Sequence, residues 1–198
     1  MTRLAELLVS LFFLLNVAGC SATGTQQAPP PIELRGLWLA DEHIFASRQK
    51  IADAMQFLAD HNFNAVLPVV WNGARTLHPS KVMEQWFGVS AATAHRDVLA
   101  ELIEEAHKRG LAVIPTVTLS VAPNPSFSET LAKTKPQWLA RDRAGNPVRK
   151  DDIEWLNPLH PEVQEFLLAL VSEVAKSYDV DGILGGDRLL AEPIEAGY

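Results

Sequence analysis

Tyr178-Asp179-Val180-Asp181-Gly182-Ile183-Leu184-Gly185-Gly186-Asp187-Arg188-Leu189 is the stretch from which the rest of the chain is best read. Val180, Ile183 and Leu184 make a short buried strand. It runs out into two glycines and then presents a carboxylate and a guanidinium, Asp187 and Arg188, on the loop beyond. Parallel α/β sheets carry their reacting groups on such loops, because the strands are rigid while the loops at their C-terminal ends vary. Gly185-Gly186 reads equally well as a plain turn with Asp187 as its Asx-type side chain, and the stretch alone leaves both readings open.

Working outward, the residues before it predict a helix that begins at Pro161, a residue suited to the first helical position, with Val163, Phe166, Leu167, Leu170, Val171 and Val174 on one face. Residues 33–40 read as a strand of nearly continuous apolar character, the pattern of a parallel strand covered on both faces. Residues 47–61 carry Ile51, Ala54, Met55 and Leu58 at helical spacing, and residues 63–71 form a second buried strand. Residues 97–109 predict another helix, with Asp97 as N-cap, Lys108 and Arg109 in the last turn and Gly110 as its stop; residues 111–119 are the third strand. Ala65-Val66-Leu67-Pro68-Val69-Val70 and Ala112-Val113-Ile114-Pro115-Thr116-Val117 agree at four of six positions, 47 residues apart, as successive βα units would. Residues 120–160 are irregular, and a loop of that length in a compact domain is more often functional than filler. The order βαβαβ, long loop, αβ gives parallel connections with right-handed crossovers.

The 198 residues suffice for one globular domain, and a formal charge of -7 with no basic cluster argues against nucleic acid as a partner. Residues 1–19 read as a signal peptide, with Arg3 in a short positive region and residues 7–17 as an apolar core too short to span a bilayer. It ends on Val17-Ala18-Gly19-Cys20, which resembles the bacterial lipobox. The chain's single cysteine is therefore expected to carry a lipid that anchors the protein to a membrane of the bacterial cell envelope, on the periplasmic or outer-membrane side. Residues 20–31, polar and then Pro-Pro-Pro, read as a linker, leaving 32–198 as the folded domain.

Several ordered motifs resemble the glycosyl-hydrolase-like family 10 domain of bacterial envelope proteins. They are Glu33-Leu34-Arg35-Gly36-Leu37-Trp38, Pro68-Val69-Val70-Trp71-Asn72, Leu77-His78-Pro79-Ser80, Glu104-Glu105-Ala106-His107-Lys108-Arg109-Gly110, Trp155-Leu156-Asn157-Pro158 with Pro161-Glu162-Val163, and Asp179-Val180-Asp181-Gly182-Ile183. The resemblance implies a TIM-type (β/α) barrel that cleaves glycosidic bonds, a cell-wall glycan as substrate, and no cofactor. The family usually places two acids after the fourth strand; here Gly186 occupies the first position and Asp187 stands alone. A full barrel takes about 250 residues and about eight strands, so the expectation is a partial barrel of about four βα units.

Glycoside hydrolysis uses two carboxyl groups about 5 to 9.5 Å apart. Asp187 is the candidate catalytic acid, and Asp41, Glu42 and Glu154 are candidate partners, each also readable as a cap or solvated loop residue. Sugars offer an apolar face to aromatic rings and hydroxyls to amides, which makes Trp71 with Asn72, Trp155 with Asn157, and Arg188 candidate substrate-binding residues. Trp38 reads as core. His43, His78 and His107 lack the spacing of metal ligands, so no metal is expected. Three readings stay open: an anchored glycoside hydrolase, a glycan-binding lipoprotein without catalysis, and a truncated chain with uncovered strand edges, as a fragment or as half-barrels that pair. Gly186 favours the second and third, and the density of motifs favours descent from the first.

Overall fold

The computed structural model describes residues 33–40, 42–71, 75–88, 96–118, 120–121, 131, 133–150 and 153–186, and from residue 34 onward these form the unit Leu34–Tyr198. Cys20 with the expected signal peptide and linker, Asp41, Asn72, Asp187 and Arg188 lie outside the described residues.

Strand β1 (Gly36–Leu39) leads through a 3-10 turn, Ile44–Ala46, into helix α1 (Arg48–Asp60). Ser47 caps that helix, its hydroxyl accepting from the backbone N–H of Lys50 at 3.2 Å. β2 (Ala65–Trp71) follows, then a short helix α2 (Lys81–Phe87), and then α3 (Val98–His107), capped by Asp97 as its sequence predicts. Gly110 ends that turn at φ 71°, a left-handed conformation suited to glycine. The third strand is split into β3 (Ala112–Val113) and β4 (Thr116–Val117) around Ile114-Pro115, because proline has no N–H to give the ladder. β3 and β4 both pair with β2, so they serve as one strand position. β5 (Ser120–Val121), a second 3-10 turn (Pro136–Trp138), β6 (Arg149–Lys150), β7 (Ile153–Trp155), α4 (Pro161–Ser177) and β8 (Leu184–Gly185) complete the described elements.

The main sheet runs β1-β2-β4-β8 with every pairing parallel and the strand positions in chain order. This is the expected partial (β/α) barrel. One sheet face packs on the helices: Leu39, Val66, Val70, Val113 and Val117 share a core with Ile51 and Met55 of α1, Leu99 and Leu102 of α3, and Phe166 and Leu170 of α4. The opposite, inner face carries the register partners Gly36 and Ala65, Trp38 and Leu67, and Val69 and Thr116.

Two expectations are corrected. β1 is not covered on both faces: Leu34 and Leu37 are exposed, and Trp38, expected in the core, is 58% exposed. The cause is that β1 ends the sheet among the described residues, with β2 on one side only. Secondly, the stretch 120–160 is not wholly irregular. It holds a three-stranded antiparallel sheet, β5-β7-β6, placed beyond the C-terminal end of β4, with its own small core of Ala140, Val148 and Trp155.

Candidate functional site

Because the strands are parallel, the loops leaving β1, β2, β4 and β8 emerge at one end of the sheet, where barrels of this kind hold their sites. The loop after β1 brings Glu42 to 3.6 Å from Arg75 of the loop after β2, an exposed pair across the mouth. The long excursion after β4 contributes β7, and with it Glu154. That carboxylate accepts from Arg149 Nε at 3.0 Å and Nη2 at 2.5 Å, across the β6–β7 pair. Glu154 is thereby committed to a charge-assisted cross-strand contact rather than poised alone.

Trp71 is 2% exposed and Trp155 5% exposed, so in this structure neither presents an open ring face to a sugar. For Trp71 the cause is a bulge. Val69 pairs with Thr116 but Trp71 pairs with Val117, so two residues of β2 span one step of β4 and strand alternation shifts by one. Simple alternation would turn Trp71 to the inner face with Val69. The bulge instead turns it to the helix side with Val117, where its ring meets Phe166 edge-on at 5.5 Å. Trp86, Phe87 and Trp138 gather around the same Phe166. Trp155 fills the core of the small sheet. Asn157 is a turn former, its backbone N–H donating to the Trp138 carbonyl at 2.7 Å and its Oδ1 accepting from Leu159 N at 3.0 Å.

At the end of β8, Gly186 is buried and donates its N–H to the Val117 carbonyl at 3.3 Å. A Cβ at Gly186 would stand 3.0 Å from the Thr116 methyl, so position 186 faces inward and is closely bounded. Thr116 and Thr118, both buried, form that boundary.

Sequence reasoning missed the polar groups that tie the helix layer together and to the sheet. Glu173 of α4 accepts from the Ser80 hydroxyl at 2.6 Å, His78 Nε2 at 3.1 Å, and the backbone N–H groups of Lys81 at 2.7 Å and Val82 at 3.2 Å. Burial alone would push this carboxyl up, but those four donors hold it below the ordinary carboxylate range. The signal was present: Glu173 continues the apolar spacing of Phe166 and Leu170, an acid on the buried stripe of a helix. Where the strands begin, Asp181 accepts from Val113 N at 2.7 Å and from His107 Nε2 at 2.9 Å. Burial works against its charge, yet the Val113 N–H and the His107 ring hold its carboxyl down. Tyr178 donates to Asp97 at 2.8 Å, and burial together with that carboxylate pushes its phenol up. Among the described residues, no group of three or more His, Cys, Asp or Glu is arranged to hold a metal ion.

Residues 33–198 match the model of the family described as glycosyl hydrolase-like 10. The protein called glycosyl hydrolase DigH from Escherichia coli (strain K12) is 27% identical over 201 residues, which cover 85% of this chain and 44% of that protein. The chain thus spans less than half the length of that relative. A hypothetical protein from Ruminiclostridium thermocellum superposes with a TM-score of 0.57 at 16% identity, covering 76% of this chain and 74% of that one. The Flavobacterium johnsoniae chitobiase superposes with a TM-score of 0.56 at 16% identity, covering 79% of this chain and 24% of that one. Both structures share the fold. With the parallel sheet, its chain-ordered strands and a family match from residue 33 to residue 198, the chain belongs to the glycosyl hydrolase-like 10 family.

Proposed function

We propose that this chain supplies the N-terminal strands and part of the substrate mouth of a glycoside hydrolase that acts on a cell-envelope glycan such as the glycan strands of peptidoglycan. Cys20 carries the lipid that keeps it at a membrane of the envelope. The observation that supports this most is the parallel sheet in strand order β1-β2-β4-β8, which puts four loops at one end in a chain matched to a glycosyl hydrolase-like family. In this reading Asp187 is the general acid that protonates the leaving oxygen, and Asn72 and Arg188 bind sugar hydroxyls. Glu42, 69% exposed and only loosely paired with Arg75 at 3.6 Å, is the partner carboxylate best placed among the described acids, since Glu154 is 12% exposed and held by Arg149 at 2.5 Å.

One observation favours a second reading, a glycan binder without catalysis. The inward position at the end of β8 is a glycine pressed against Thr116, and it offers no carboxylate there. The two readings separate in one experiment on the mature protein with purified peptidoglycan sacculi. The hydrolase reading expects release of reducing ends that drops by at least about a hundredfold in Asp187→Asn, in line with loss of a general acid. Binding of sacculi without any release, in wild type and variant alike, leaves the binder reading standing and removes the hydrolase. Membrane partition that persists undiminished in Cys20→Ser would remove the anchor.

A further inference from the structure

We infer that Trp38 is the sugar-stacking residue of the mouth, a role that rests on the glycan-binding reading above and transfers the aromatic platform from Trp71 and Trp155 to β1. The chain has five tryptophans. Trp71, Trp86 and Trp138 are taken up by the aromatic cluster around Phe166, and Trp155 by the core of the small sheet. Trp38, at 58%, is the one of the five that is exposed.

Its place in the sheet gives that exposure a direction. Trp38 is the third residue of the four-residue β1, beside the strand's C-terminal end, which is the end where the loops of the mouth emerge. It pairs in register with Leu67, and both project from the inner face, so the ring stands away from the helices. Toward the mouth that face continues in small side chains, Val69, Thr116, Thr118 and Gly186. A single large ring beside a low floor makes one wall of a hollow. Barrel interiors are filled mainly by branched aliphatic residues, as Leu67 and Val69 are here. An indole, whose N–H needs a partner, suits a wet opening better than such a core.

The same strand leads to the candidate carboxylate. Glu42 lies four positions further on, exposed in the loop that leaves β1. No more than about 13 Å of extended chain separates the two, so the ring and the carboxylate serve neighbouring positions of one bound glycan. Stacking on indole selects a sugar with a flat C–H face, the face that a β-1,4-linked pyranose with equatorial substituents presents, and its rim hydroxyls stay free for polar groups of the loops.

The test is nuclear magnetic resonance of the indole N–H groups in the mature protein, held in detergent micelles and titrated with chitotetraose, a soluble β-1,4-linked N-acetylglucosamine oligomer, alongside binding to purified peptidoglycan sacculi. Trp38→Phe identifies the Trp38 signal as the one of five that it removes. Chitotetraose is expected to shift that signal and to leave those of the buried Trp71 and Trp155 in place. Trp38→Ala should weaken sacculus binding by at least about tenfold, as loss of an aromatic anchor does, with Trp38→Phe in between. Both variants should melt within about 2 °C of wild type, as substitution at an exposed position allows. If wild type binds sacculi and Trp38→Ala binds them equally well, the inference is overturned and the glycan reading stands. A Trp38 signal that moves on concentrating the protein alone, and no further with chitotetraose, assigns the ring to contact between copies and overturns it too. So does a larger fall in melting temperature in both variants, which makes Trp38 a structural residue. Absence of wild-type binding to sacculi removes the glycan reading, and the inference with it.

Discussion

Gly36 is a position where the absence of a side chain is required by a neighbour. A Cβ there would come within 2.5 Å of Leu67 Cδ1 on the adjacent strand. Leu67 is buried on the inner face, so its escape is limited. Gly36→Ala is therefore expected to lower stability by about 1–3 kcal/mol, the usual cost of overpacking, read as a lower urea midpoint. The double variant Gly36→Ala with Leu67→Ala should lose less than the sum of the two singles, because the second change removes the collision. Single residues are also where the sequence was hardest to read. Trp71 closes an apolar strand beside Asn72 and has the pattern of a sugar platform, but one bulge residue turned it to the helix side. No local sequence signal marks that bulge, since it depends on how β2 meets β4. Trp38 failed in the other direction: its apolar run promised a covered strand, and the run does not say which strand ends the sheet.

At the scale of elements, α1 and α3 are joined by a charge network centred on Glu105. Arg109, Lys108 and Arg48 all bond its carboxylate, at 2.9, 3.0 and 3.1 Å. The Arg109 hydrogen bond, then that from Lys108, draws the Glu105 carboxyl down from 4.5 to about 2, against the opposing effect of burial. A carboxyl depressed in the folded state stabilises it above the unfolded value and loses that contribution as pH falls toward the folded one. The melting temperature should therefore fall as pH drops from about 4.5 to about 2, and Glu105→Gln should make that decline shallower while melting lower at neutral pH. Calorimetry at a series of pH values checks it. Elements with local signals were legible: Asp97 caps α3, Gly110 stops it, and Pro161 opens α4, each as the sequence announced. Helix α2 was not, because a seven-residue helix has little intrinsic stability and this one depends on a carboxylate ninety-odd positions away. The β5-β7-β6 sheet was missed for the same reason, its ladder being made of pairs such as Ser120 with Trp155.

For the molecule as a whole, the parallel sheet was legible because buried strands alternating with amphipathic helices admit few other topologies. The closure of the barrel was not, since it depends on what lies beside β1. Among the described residues that strand exposes Leu37 on one face and Trp38 on the other. Uncovered apolar side chains on a strand with an open side invite pairing. Purified residues 32–198 are expected to self-associate with rising concentration by light scattering, and Leu37→Lys or Trp38→Lys should weaken association by about tenfold or more, as charged edge residues do. A monodisperse monomer at every concentration would contradict this.

The way α3 is held also has a kinetic consequence. Its N-cap, Asp97, is gripped by Tyr178 and its last turn, at His107, by Asp181, so both ends wait for partners 81 and 74 positions further along. A ribosome that has released α3 has not yet made either partner. That helix is therefore expected to dock late, after the fourth strand position has been synthesised, which makes the stretch from Tyr178 onward a timing element in folding as well as a place in the sheet.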